Sequence, residues 1–233
     1  MHTTSAVGLT ALTAATLGCI FGSGLVFWLF TRFGLSLFLA QLALFHLLEY
    51  LITARFQPSK LSFDSFILNN GNSYWYAMLL GVIEYCLCRG NSGPGLLSKL
   101  FMPRWICASI RLIMLLVGLV AVVIGQALRS FAMIHAGESF SHVVATEKKQ
   151  EHKLVTDGIY HYVRHPSYAG FFVWALGTQL CLRNVFSTAI FGYVLWRFFD
   201  SRIHYEEQHL TTFFGDAYKE YKSRVPSGLP GIH

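Results

Sequence analysis

Residues 6–30 form an apolar run without one charged side chain. At about 1.5 Å per helical residue such a run crosses about 30 Å of hydrocarbon, so the pattern predicts a membrane helix. A cleaved signal peptide is the competing reading, because Gly22-Ser23-Gly24 offers small residues, but no basic segment precedes the run and it is too long. After Arg32 a second apolar run, residues 33–52, completes a hairpin. Residues 55–72 are polar, with Pro58 and Asn69-Asn70-Gly71-Asn72 as breakers. A short run at 74–88 and a longer one at 105–127 follow, separated by Gly90-Asn91-Ser92-Gly93-Pro94-Gly95, and the longer can stay helical to residue 134. Residues 135–167 are dense in charge and histidine and read as aqueous or interfacial. Two last runs, 168–182 and 185–199, are parted by Arg183 and Asn184 alone, as in a tight helical hairpin. Residues 200–233 read as an amphipathic helix with a Pro/Gly-rich end.

The pattern therefore predicts an all-α integral membrane protein with six to eight transmembrane helices, six as read and two more if 55–72 or 96–110 dip into the bilayer. Residues 1–134 form the amino-terminal transmembrane part, and residues 135–233 the part that carries chemistry.

Composition sharpens this. Of 233 residues 54% are hydrophobic and 13% charged, roughly half the charged share of a soluble domain, and the mean hydropathy of +0.46 excludes a disordered chain. A net charge of +6 raises nucleic acid as a partner. However, residues 1–134 hold 8 bases and 3 acids, whereas residues 135–233 hold 10 and 9. The excess belongs to loops around spans, so no nucleic-acid partner is expected. The side holding both termini carries twelve Lys and Arg, with Arg129 counted there as a loop residue, against five on the other. The positive-inside rule then places the carboxy-terminal region in the cytosol. Cys19, Cys86, Cys88, Cys107 and Cys181 all lie in or beside apolar runs, and no disulfide framework is indicated.

Candidate chemistry is concentrated late in the chain. No G-x-G-x-x-G follows a strand pattern, so a Rossmann unit is not expected, and Gly18 and Gly22 read as helix-packing positions. Glu49, Glu84 and Arg111 lie within spans and must face the interior or a wet cavity, where structural pairing is the simpler account. For His46, an interhelical hydrogen bond is expected. Eight of ten histidines fall in the last 99 residues, but their spacings are poor for ligation and no metal is expected.

Two blocks stand out. The first, residues 152–168, joins His152-Lys153-Leu154-Val155, a turn at Asp157-Gly158, a strand-like stretch ended by proline, and Arg164-His165-Pro166-Ser167-Tyr168. A membrane helix starts at that proline, and its unpaired N–H groups can meet an anionic group. An interfacial belt of Tyr, His and Arg explains the same composition. In the second block, residues 196–207, Arg202 and Glu206 share a helix face. They form either a weak surface pair or two separate binding groups, one for an anion and one for a cation or hydroxyl.

These blocks resemble the isoprenylcysteine carboxyl methyltransferases. The resemblance rests on H-K-L-V-T-D-G-I-Y, R-H-P-S-Y-A-G, G-T-Q at Gly177-Thr178-Gln179, W-R-F-F, R-I-x-x-E-E-x-x-L from Arg202, F-F-G at Phe213-Phe214-Gly215, and V-P-S-G-L-P from Val225, over about the last 90 residues. It implies an enzyme of the endoplasmic reticulum membrane that uses S-adenosylmethionine to methylate the terminal carboxylate of farnesylated or geranylgeranylated cysteine in processed C-a-a-X proteins. The implied cofactor contacts are His152, Lys153, Leu154, Val155, Tyr160, His165, Pro166, Ser167, Tyr168 and Glu206. Arg202 is implied to hold the substrate carboxylate. Relatives often carry Gln where this chain has Ala145, so one cofactor hydrogen bond is expected to be missing or supplied by a neighbour. Phospholipid N-methyltransferases and NADPH-dependent sterol reductases share R-H-P-x-Y in looser form, and a helical scaffold explains the spans without the polar blocks.

Overall fold

Hydrophobic runs of this length in a chain with few strand signals should close their backbone hydrogen bonds within helices. The computed structural model, which describes residues 2–69, 71–89, 104–148 and 153–233, is all-helical among those residues. Its α-helices there are α1 (His2–Thr31), α2 (Gly34–Phe56), α3 (Asn72–Arg89), α4 (Arg104–Ala136), α5 (Pro166–Leu182), α6 (Val185–Phe214) and α7 (Asp216–Arg224). Short 3-10 turns sit at Pro58–Lys60, Phe63–Phe66, Gly137–Ser139 and Gly158–His161. Three stretches, Val7–Thr31, Gly34–Phe56 and Trp105–Ser139, are long and apolar enough to cross a membrane, and the apolar stretch of α3, Tyr74–Cys88, is shorter.

Tight turns set the hairpins. Arg32 (φ 55°) closes the α1–α2 corner and Arg183 (φ 65°) the α5–α6 corner, both in the left-handed region where a side chain is uncommon. The second corner is braced from α3. Asn184 Nδ2 donates to the Gly81 carbonyl (2.8 Å) and to Gln179 Oε1 (2.9 Å), while the Glu84 carboxylate accepts the N–H groups of Phe186 (3.0 Å) and Ser187 (2.6 Å) at the start of α6. Glu84 is thus an N-terminal cap from a neighbouring helix, which also complements the helix dipole. His46 Nδ1 meets the Phe66 carbonyl (2.8 Å) and its Nε2 lies 3.5 Å from the Tyr74 hydroxyl on α3.

Among the described helices α4 and α5 pack most extensively, and they run antiparallel with glycines seven apart on each, Gly118 and Gly125 against Gly170 and Gly177. A Cβ on Gly125 would stand 2.4 Å from the Trp174 backbone nitrogen, and one on Gly170 2.6 Å from that of Arg129. Because the obstacle is backbone, the helices themselves must part. Gly125→Ala is expected to cost about 1–3 kcal/mol by overpacking, read as a lower unfolding midpoint in detergent. Gly22→Ala should change the midpoint little, since a Cβ there meets nothing within 4 Å. An equal response of the two would contradict the packing argument.

Four expectations change here. Gly18 and Gly22 do not pack within the described chain, and it is Gly24 that approaches α2, at the Ser36 carbonyl. Helix α6 continues unbroken from the apolar hairpin through residues 200–214, because no breaker interrupts it before Gly215 (φ 57°), so the amphipathic part is its second half, followed by α7. Residues 158–161 form a 3-10 turn rather than a strand-like stretch, since no neighbouring strand pairs with them. Arg129 is buried inside α4 rather than in a loop.

Candidate active site

The R-H-P-S-Y segment is the hub. Pro166 opens α5, where its missing N–H costs nothing, and no side chain caps that helix start. The chain end folds back onto it: Arg164 and His165 donate their N–H groups to the carbonyls of Pro226 (2.9 Å) and Ser227 (3.0 Å). Gly228 (φ 100°) permits the approach, since a Cβ there would fall 2.2 Å from Val163 Cγ1. The Ser227 hydroxyl donates to the Ile232 carbonyl (2.6 Å), and Trp196 Nε1 donates to that of Pro230 (2.8 Å). The V-P-S-G-L-P and W-R-F-F motifs therefore meet as a clasp on the site.

Beneath the clasp lies a buried ionic cluster. Glu207, 4% exposed, accepts from Arg164 Nε (3.0 Å), lies 3.1 Å from His165 Nε2 and 2.5 Å from Lys222 Nζ. Burial alone would raise its pKa, but the His165 and Lys222 hydrogen bonds and the neighbouring positive charges outweigh it and bring it down to about 2. Fixed in this way, the His165 ring stacks on Tyr168 at 5.6 Å with planes 4° apart.

A second buried pair supports the start of α5 from below. Arg129 Nε and Nη2 donate to the two Glu49 oxygens (2.5 and 2.9 Å), and Nη1 donates to the Ser167 hydroxyl (3.0 Å). This fork joins α2, α4 and α5, and its guanidinium also lies over the rings of Phe45 and Phe171. The His142 imidazole lies 3.7 Å from Glu49. Burial first, then the charges of Arg129, Arg202 and Lys60, push its pKa down to about 3, so it is neutral at pH 7.

Two recesses flank this hub. Lys153, Leu154, Val155, Tyr160, His165, Pro166, Ser167, Tyr168 and Glu206 all line the first, along with Phe140, Leu210 and Tyr221. His152 lies outside the described residues. Gly158 (φ 56°) lays its turn on the His135 ring, and the Tyr160 hydroxyl donates to the Ala132 carbonyl (3.1 Å) while its own carbonyl accepts from Tyr221 (2.6 Å). Arg202 does not line that recess. It lines the second, a more open one shaped by Val143, Val144, Thr146, Phe198, Ser201 and Tyr205. The Arg202–Glu206 pair suggested by helical spacing is not formed directly. Tyr168 stands between, accepting from Arg202 Nε (2.8 Å) and donating to Glu206 Oε2 (2.5 Å), and Arg202 Nη2 donates to the His142 carbonyl (2.6 Å).

Sequence reasoning gave no role to Arg129, Arg164, Glu207 and Lys222, although Arg164 and Glu207 lie within the two conspicuous blocks. For Arg129 a further signal existed, because a carboxylate inside a span, Glu49, requires a cation at the same depth. Chemically, the first recess offers a half-exposed carboxylate, an uncapped helix start and apolar walls, while the second offers a guanidinium among apolar side chains.

Comparison with known proteins agrees in sequence and fold. Residues 114–212 match the model of the isoprenylcysteine carboxyl methyltransferase (ICMT) family. The chain is 52% identical over 232 residues to the protein-S-isoprenylcysteine O-methyltransferase of Schizosaccharomyces pombe, covering 100% of this chain and 98% of the relative. Identity to the enzyme of the same name in Saccharomyces cerevisiae is 46%, over 84% of this chain and 80% of that one, and in Homo sapiens 40%, over 95% and 74%. The solved structure of a eukaryotic intramembrane Ras methyltransferase, ICMT, superposes with a TM-score of 0.83 at 33% identity, covering 95% of this chain and 76% of that one.

Proposed function

The chain belongs to the isoprenylcysteine carboxyl methyltransferase family, and from that premise we propose that it methylates the terminal α-carboxylate of a prenylated cysteine in processed C-a-a-X proteins, with S-adenosylmethionine as donor. The observation that carries this is the division of labour across Tyr168: Glu206 opens onto one recess and Arg202 onto the other.

The residues of the first recess fit an adenosyl methionine. Glu206 suits its hydroxyl or cationic groups, the Ser167 N–H and hydroxyl, just after Pro166 opens α5, suit its carboxylate, and Leu154, Val155 and Tyr160 suit an apolar ring. His165 and Tyr168 form the stacked wall between, and Lys153 stands at the edge. When bound, the cofactor supplies an electrophilic methyl group on a sulfonium. An acceptor carboxylate is already ionised at neutral pH, its ordinary pKa being near ~3.5, so no strong general base is needed. Arg202 holds that carboxylate and orients it for in-line attack. Tyr168 holds Arg202 in place. Val143, Val144, Phe198 and Tyr205 suit a prenyl chain arriving from lipid, while a water-soluble donor comes from the aqueous side. On this reading the chemistry lies at a membrane interface, and the family resemblance supports the cytosolic face of the endoplasmic reticulum.

Purified protein in lipid, given labelled S-adenosylmethionine with either farnesylcysteine or phosphatidylethanolamine, tests the reading. Label in the farnesylcysteine ester supports it, label in the amine alone makes the protein a phospholipid N-methyltransferase, and label in neither overturns both. Glu206→Ala is expected to weaken S-adenosylmethionine binding about tenfold to hundredfold, as loss of a charge-assisted hydrogen bond does, and calorimetry showing unchanged affinity would remove Glu206 from the cofactor site.

A further inference from the structure

We propose that the Tyr168 hydroxyl couples the two recesses, so that each ligand raises the affinity for the other. This rests on the assignment of donor and acceptor given above.

A phenol has one proton to donate and two lone pairs to accept with. Here both roles are committed in opposite directions, the lone pair to Arg202 Nε (2.8 Å) and the proton to Glu206 Oε2 (2.5 Å). The result is a polarised chain from guanidinium through hydroxyl to carboxylate, held within half-buried surroundings where such chains strengthen one another. The ring cannot swing away. It is sandwiched between His165 (5.6 Å, planes 4° apart) and Phe199 (5.1 Å, 23°), and the guanidinium carbon lies over it at 5.4 Å. The far side of the guanidinium is held as well, by the His142 carbonyl (2.6 Å). Nε–H and one Nη2–H of the five donors are thereby engaged, leaving the rest for an acceptor carboxylate.

Two effects then act in one direction. A group bound at Glu206 fixes that carboxylate, and through the hydroxyl it fixes Arg202, so the second ligand meets a guanidinium already ordered. A cationic group at Glu206 also draws on its negative charge, leaving Arg202 less neutralised and more attractive to an incoming carboxylate. Linkage requires the effect to be reciprocal.

Tyr168→Phe isolates the hydroxyl, since phenylalanine keeps both stacks. The experiment measures S-adenosylhomocysteine affinity of the lipid-embedded protein with and without saturating farnesylcysteine, and the converse titration. Wild type is expected to show a coupling factor of about fivefold or more in both directions, and Tyr168→Phe a factor near one, with each ligand alone still binding. Arg202→Lys keeps the charge but lacks the Nε–H that reaches the hydroxyl, and should lower the factor likewise if Tyr168→Phe fails to fold. A wild-type factor of one, or a factor preserved in Tyr168→Phe, overturns the coupling while leaving the reaction assignment standing. Failure of wild type to bind either ligand overturns the reaction assignment itself.

Discussion

Arg202→Ala is expected to cut kcat/KM for a farnesylcysteine acceptor by about a hundredfold or more, with a much smaller effect on cofactor affinity measured without acceptor. Truncating one partner of a buried, hydrogen-bonded charge pair costs about 2–5 kcal/mol, and a carboxylate among Val143, Val144, Phe198 and Tyr205 has few other cations to meet. The guanidinium is held at Nε by Tyr168 and at Nη2 by the His142 carbonyl, so its orientation is set before the acceptor arrives. Arg202→Lys should fall between wild type and alanine, because an ammonium supplies charge without the planar fork. Steady-state methylation of farnesylcysteine measures this directly, and a near wild-type rate for the alanine variant would end the clamp assignment.

The largest effect on stability is expected at the Glu49–Arg129 fork. Glu49→Ala leaves a buried guanidinium with its Ser167 contact but no counter-charge, and breaking a buried pair from one side costs about 3–5 kcal/mol. Replacing both residues together by Met should recover most of that loss, because the uncompensated charge disappears with its partner. Denaturant or thermal unfolding in detergent distinguishes the cases. A single variant as stable as the double would show that the pair is not coupled. Ser167 sits at the start of α5, so the same change should also weaken cofactor binding in protein that still folds.

Several residues of the conspicuous motifs hold other motifs in place. Arg164 ties α5 to Glu207 and to the chain end, Gly228 lets that end lie on Val163, and Gly177 lets α4 and α5 touch. A one-dimensional pattern mixes such packing residues with those that face a ligand, since both are confined to particular residue types. Separation came from where each side chain points: Glu206 into the first recess, Glu207, its neighbour, into the ionic cluster.

By itself, the sequence determined the helical membrane class and the α1–α2 and α5–α6 hairpins, because long unbroken apolar runs satisfy their backbone hydrogen bonds within a helix. It also marked Arg202 and Glu206 as a pair through their helical spacing. Tertiary structure alone decided that the pair is split by a tyrosine 34 residues before Arg202 and 38 before Glu206. It decided likewise that Arg129 is an interior residue matched to Glu49 from 80 positions away, and that the last residues close over the R-H-P segment. The physical reason is one of range: periodicity reports which face of a helix is apolar, whereas desolvated charges are satisfied by whichever partner the packing brings within hydrogen-bond reach, at any distance along the chain.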